Sequence, residues 1–328
     1  MSVVDPSDFI PQLVIWSTFN IFATCGLVAL FIVTLLVYGM KANWTLVNLE
    51  IIFILSSSTT SALIWTGHAR DLHPPFELCL MNASATMANV PLMAGAALSI
   101  VAKVWGTAMG IWHPRVRPVL EWIIWTPILV LLPFIFAVPL FVAGIALGVR
   151  DRTKVFRGSP FYCLLGQDSL QTMASVLGAV LTLISLILAS WTAIDGFVTW
   201  RRVGGRRIIE NPLISYAFIL RVILFSVFVG AAFVSGIIAL SSSFDAVIPD
   251  IIVASCGVGA FFIFASAPHI VRFVFCCKRE TTRSFTIQTS AWTGMPSWRS
   301  GRGTHSEPPQ EFDLSKIRED KIQAPDLG

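Results

Sequence analysis

Residues 78–111 read LCLMNASATMANVPLMAGAALSIVAKVWGTAMGI, and this stretch decides the fold. As a helix rising about 1.5 Å per residue it would be roughly 50 Å long, against a bilayer hydrocarbon core of about 30 Å. A helix of that length must tilt or run past the membrane surface. Its small-residue run, Ala94-Gly95-Ala96-Ala97, lets neighbouring backbones come close, which suits a helix packed on several sides. The stretch therefore predicts the central helix of a membrane bundle.

Composition points the same way. Of 328 residues, 55% are hydrophobic and only 13% charged, with a mean hydropathy of +0.74. Those values lie outside the soluble range. The charges cluster between long apolar runs, as a polytopic protein requires. The arginines form no continuous basic face, so nucleic acid is not an expected partner. Membrane lipid is.

Working outward, the runs are Leu13–Tyr38, Leu46–Thr66, the central stretch, Leu120–Gly148, Ser169–Val198, Leu213–Leu240 and Asp250–Phe275. The expected fold is an all-α membrane protein, a seven-transmembrane helix bundle over residues 1–279, followed by a disordered cytoplasmic tail over 280–328. The acidic N-terminus has no basic n-region, so no removable signal peptide is expected. Pro127, Pro133 and Pro139 interrupt the fourth run; a re-entrant fourth segment, giving six spans, is the alternative count.

Orientation follows from Lys and Arg placement. With the N-terminus outside, the inner side collects Lys41, Lys103, Arg115, Arg117, Arg201, Arg202, Arg206, Arg207, Arg221, Arg272, Lys278 and Arg279. The outer side holds Arg70, Arg150, Arg152, Lys154 and Arg157, partly offset by Asp151 and Asp168. Cys79 and Cys163 then both face the oxidising compartment and are expected to form a disulfide pinning the outer loop Val149–Gln167. Cys25 and Cys256 read as packing residues within spans. Cys276 and Cys277, beside Lys278, are either palmitoylation sites or two idle interfacial thiols. Val271–Phe285 reads as an amphipathic helix on the inner surface.

Several polar residues stand out. Glu50 and Lys103 fall near the inner ends of adjacent spans and either pair as a switch or snorkel separately. His68, Asn82, Asn89, Asp168 and Gln171 fall on the outer halves or rim, where a ligand pocket would open, although interhelical hydrogen bonding is the commoner role for such residues. Neither sequon, Asn43-Trp44-Thr45 or Asn82-Ala83-Ser84, is placed for glycosylation. Gly144-xxx-Gly148 matches small-xxx-small spacing at a span end. No zinc spacing, phosphate loop or nucleophile elbow occurs, so neither a cofactor nor an enzyme is expected.

Seven spans, a short outer N-terminus, a cysteine heading the third span, its partner before the fifth, a basic third inner loop and a Cys-ended seventh span together resemble a G-protein-coupled receptor. More narrowly, the chain resembles fungal orphan seven-transmembrane receptor-like proteins. Ile64-Trp65-Thr66-Gly67-His68, followed by Leu78-Cys79, is similar in layout to fungal lipopeptide pheromone receptors. It departs from the rhodopsin-like pattern: Ala102-Lys103-Val104-Trp105 stands where those receptors carry Asp/Glu-Arg-Tyr, and the sixth run lacks the Cys-Trp-x-Pro signature. The resemblance implies an extracellular ligand and a heterotrimeric G protein, facing Arg115, Arg117, Arg201, Arg202, Arg206 and Arg207; the other reading of these arginines is that they only fix topology. A retinal protein is excluded because Asp250–Phe275 holds no lysine. A transporter or channel is the second functional class, although no internal repeat supports it.

Overall fold

The computed structural model describes residues 10–38, 43–71, 73–112, 125–166, 168–203, 216–241, 247–266 and 270–271. Residues 288–328 lie wholly outside these ranges. The expectations for the tail, the 271–285 helix, Cys276 and Cys277 therefore fall outside the described residues, as do those for Arg115, Arg117, Arg206 and Arg207.

The described residues are almost entirely helical. The elements are α1 (Ile10–Tyr38), α2 (Trp44–Thr60), the single-turn α3 (Ala62–Trp65), α4 (Phe76–Trp112), α5 (Thr126–Arg150), α6 (Asp168–Val203), α7 (Tyr216–Ser241) and α8 (Val247–Ala265). Four helices contain segments long and apolar enough to cross a membrane, by length and composition: Ile10–Leu36, Phe76–Gly110, Thr126–Arg150 and Ser169–Val198. Helix α2 is 17 residues long, and the apolar stretches of α7 and α8, Ile219–Ala232 and Asp250–Ala265, are shorter than those four.

The helices close a ring in which α1 packs on α2 and α8, α2 on α4, α4 on α5 and α6, α6 on α7, and α7 on α8. The central helix is the one expected from sequence, begun two residues earlier. Its candidate span is 67% buried within the protein, against 28% for those of α1 and α5. Helix α4 is the hub, and α1 and α5 lie at the rim.

Small residues set the helix spacing. A Cβ on Gly95 of α4 would lie 2.9 Å from Pro133 Cα of α5, so the two backbones nearly touch there. Further along α5, Gly144 lies against Ser84 and Met87, and Gly148 against Leu80. The Gly144-xxx-Gly148 spacing is thus a packing seam. The opposite face of α5 exposes Ile128, Leu131, Ile135, Val138 and Val142, a stripe as apolar as the buried one. Such an inverted face fits lipid as the surrounding solvent. Of the two cysteines read as packing residues, Cys256 is buried in the core and Cys25 is exposed.

Helix α2 ends earlier than the apolar run suggests. Thr59 and Thr60 turn their hydroxyls back to Ser56 O at 3.1 and 2.9 Å, a local bond that competes with the helical ladder. The helix breaks at Ser61 and resumes for one turn as α3. Gly67, at φ +80°, then stops it, a left-handed position that glycine takes without strain. At the other end of α2, Asn43 caps the helix, accepting from Thr45 N at 3.3 Å and Thr45 Oγ1 at 2.6 Å. The rejected sequon is a helix cap.

Candidate functional site

The segment between α5 and α6, read from sequence as a plain loop, is a folded lid. Asp151 accepts from Thr153 N and Oγ1 at 3.2 and 2.6 Å and starts a 3₁₀ turn, Arg152–Lys154. The Thr153 hydroxyl, chiefly, holds the Asp151 carboxyl below the usual aspartate range. Two short strands follow, β1 (Val155–Phe156) and β2 (Leu164–Leu165), paired antiparallel with Val155 opposite Leu165. Residues 157–163 form the tip of this hairpin.

Four attachments hold the lid to the helices. The expected disulfide, Cys79 to Cys163, is present, with a Cα–Cα distance of 5.4 Å, and fixes the lid to the first turn of α4. Both cysteines sit in a buried cluster with Leu63, Ala83 and Leu165. Beside the bridge, Asn82 accepts from Cys163 N at 2.9 Å and donates to Thr59 O at 2.7 Å. One amide thus satisfies the lid backbone and a carbonyl freed where α2 ends.

Arg157 is the second clamp, and sequence reasoning missed it. Counted there as one more surface charge, it is only 2% exposed. Its Nη1 donates to Asp71 O at 2.6 Å, and its Nη2 to Ala69 O and Pro160 O, both at 2.7 Å. A planar fork of donors is the side chain best able to gather several carbonyls at once. Here it ties the lid tip to the link between α3 and α4. The signal available in sequence was the company it keeps: Phe156, Phe161, Tyr162, Leu164 and Leu165 are too many large apolar side chains for a solvated loop.

The third and fourth attachments reach α1 and α8. Phe161, 1% exposed, stacks on Trp16 of α1 with ring centroids 4.9 Å apart and planes 12° from parallel. Tyr162 Oη donates to Asp250 Oδ1 at 2.8 Å, and Ser159 Oγ donates to Oδ2 at 3.4 Å. Burial, and then the neighbouring Asp250 carboxylate, push the Tyr162 phenol well above its ordinary range. The lid therefore touches α1, the α3–α4 link, α4 and α8 together.

The sequence-predicted pocket residues are spread unequally. Asn82 is 2% exposed, with both amide atoms committed to the lid and α2. Asn89, 7% exposed, donates to Thr59 Oγ1 at 3.1 Å and joins α4 to α2. His68 meets Asp71 at 2.6 Å on the partly exposed link, whose carbonyls Arg157 gathers. Asp168 opens α6, and Gln171 lies exposed one turn on. Asn82, Asn89 and His68 are brought to the lid end of the bundle but bond to different partners.

At the opposite end the predicted switch pair has separate partners. Glu50, 1% exposed, accepts from Thr34 Oγ1 of α1 at 3.2 Å, and its second oxygen is buried without a hydrogen bond. Lys103 Nζ donates to Thr126 Oγ1 of α5 at 3.1 Å. Equal depth on adjacent helices allows either a pair or separate snorkelling; Glu50 is instead buried facing α1. Arg201 and Arg202, expected in a loop, belong to the last turn of α6, which runs to Val203. The Arg201 guanidinium lies 4.6 Å from the centroid of the Phe197 ring.

No protein-family model matches this chain, and no curated protein matches it.

Proposed function

We propose that the chain is a cell-surface, seven-transmembrane receptor-like protein of the fungal kind it resembles, sensing an extracellular ligand and signalling through a heterotrimeric G protein. The observation that carries this reading is the lid, which is disulfide-tethered yet bonded to helices on opposite sides of the ring. A ligand that moves such a lid moves α1 and α8 with it, which is what transmission across a bundle requires. The seven-span count is supported by the ring order and by α2 with α3, which together cover Trp44–Trp65, roughly 30 Å of helix. The disulfide end is then the outer one, as an oxidising compartment demands.

Recruitment of the cell's own Gα subunits is the direct test. Replacing Arg201, Arg202, Arg206 and Arg207 together by lysine keeps the charge that sets topology and removes the bidentate fork. Surface expression should persist while coupling falls. Unchanged coupling would make the arginines topology signals only, and absence of recruitment in the wild-type chain would reject the G-protein reading.

A further inference from the structure

Phe161 and Tyr162 sit in the bundle as a bound molecule would. The Phe161 ring lies on Trp16, enclosed by Leu13, Val247 and Ala254. The strand pairing that holds the hairpin involves only 155–156 and 164–165, so both aromatic residues belong to its tip. Among the described residues, the Asp250 carboxylate accepts only from the hydroxyls of Tyr162 and Ser159, both on that tip. The arrangement is an apolar, aromatic-walled recess with one acceptor at its edge, the usual chemistry of a small-ligand site. It is filled by the protein's own side chains.

We propose that this recess is the ligand site of the receptor, that Phe161 and Tyr162 occupy it in the ligand-free state, and that it takes an aromatic ligand carrying one hydrogen-bond donor for Asp250. The inference rests on the receptor reading above. Its chemical logic is substitution. When the tip leaves, the stacking face of Trp16 and the half-buried Asp250 carboxylate both lose their partners, and a carboxylate held partly out of water without donors is costly. A ligand must supply a ring for one and a donor for the other. The disulfide holds Cys163 and Arg157 stays bonded to Ala69 O and Asp71 O, so only residues 158–162 between them swing out, releasing the Arg157 bond to Pro160 O. Because the tip competes for the site, apparent affinity is reduced by the fraction of chains with the tip out.

The test uses the full chain in lipid nanodiscs with the disulfide intact. Two soluble probes copy the tip: acetyl-Phe-Tyr-amide, and acetyl-Phe-Phe-amide, which differs only by the missing hydroxyl. A site built to accept a hydrogen bond discriminates against the analogue lacking the donor. The tyrosine probe should bind at least about tenfold more tightly, and should accelerate amide exchange over residues 158–162 in the wild-type chain. Asp250→Leu should abolish the preference between probes without a requirement that the tip be altered. Equal binding of the two probes, no binding of either, or binding with no change in tip exchange overturns the proposal. Neither readout involves a G protein. A chain that couples but ignores both probes sinks this inference alone, and one that binds the tyrosine probe without recruiting a G protein sinks the coupling alone.

Discussion

The lid end and the middle of the bundle are held together by different chemistry. At the lid, irregular backbone is buried, and each exposed carbonyl or amide needs a partner; Arg157, Asn82 and Tyr162 supply directional bonds at 2.6–2.9 Å. Midway along the bundle the helices satisfy their own backbones, so contact rests on shape: Gly95 against Pro133, Gly178 against Val90, Gly257 against Ala23. In lipid there is little hydrophobic gain from joining two apolar helices, and close packing takes over that role. The lid should therefore fail by losing a polar group, and the middle by gaining a methyl.

The largest effect should come from Arg157→Ala. It strands the carbonyls of Ala69, Asp71 and Pro160, each costing about 1–3 kcal/mol if left unsatisfied, so a loss of about 3 kcal/mol is expected. Thermal unfolding of the purified protein measures it, and Arg157→Lys should recover only part because an ammonium lacks the fork. A loss no larger than that of an exposed arginine would mean the clamp contributes nothing.

Gly95→Val tests the other region. The added carbons meet the Pro133 backbone, which cannot move aside as a side chain can, and overpacking costs about 1–3 kcal/mol. The lid's exchange protection should be untouched, since Gly95 lies far along α4 from Cys79. If the substitution loosens the lid as much as Arg157→Ala does, the two regions are one cooperative unit and the distinction fails.

Tyr162→Phe should have the smallest effect, about 1 kcal/mol, because Ser159 still donates to the Asp250 carboxylate. Its pH dependence carries more information. The phenol's ionisation is raised in the closed lid relative to an exposed tyrosine, so its contribution is complete below the ordinary tyrosine range and is lost only as pH rises through the raised value. Ultraviolet titration should find Tyr162 among the last of the three tyrosines to ionise, and Tyr162→Phe should remove that late step. An ordinary titration for all three would show the lid open in solution.

Much of this was legible in sequence, for physical reasons. Long apolar runs must be helices in lipid, so α4 was placed to within two residues at its start. Cys79 and Cys163 fall at the same end because two spans separate them, and charge asymmetry made that end the outer one. What stayed hidden depends on azimuth or on partners distant in sequence. Depth put Glu50 and Lys103 level, yet only rotation about the α2 axis decides that Glu50 meets Thr34. Asn82 reads as an interhelical bonding residue or a pocket residue; it bonds to α2, but nothing in the sequence says that α2 breaks at Ser61 and that Thr59 O is the carbonyl it takes. Arg157 lies 86 residues from Asp71, whose carbonyl it binds, and no spacing rule spans that gap.

The seven-span bundle proposed above has its lid outside and its tail inside. Epitope tags decide it most directly, one inserted after the exposed Thr153 in the lid and one at the C-terminal end of the chain. In intact cells, antibody should reach the Thr153 tag and miss the C-terminal tag, which should appear only after permeabilisation. Both tags on the same side would require a different number of crossings after the lid, and would contradict the bundle described above.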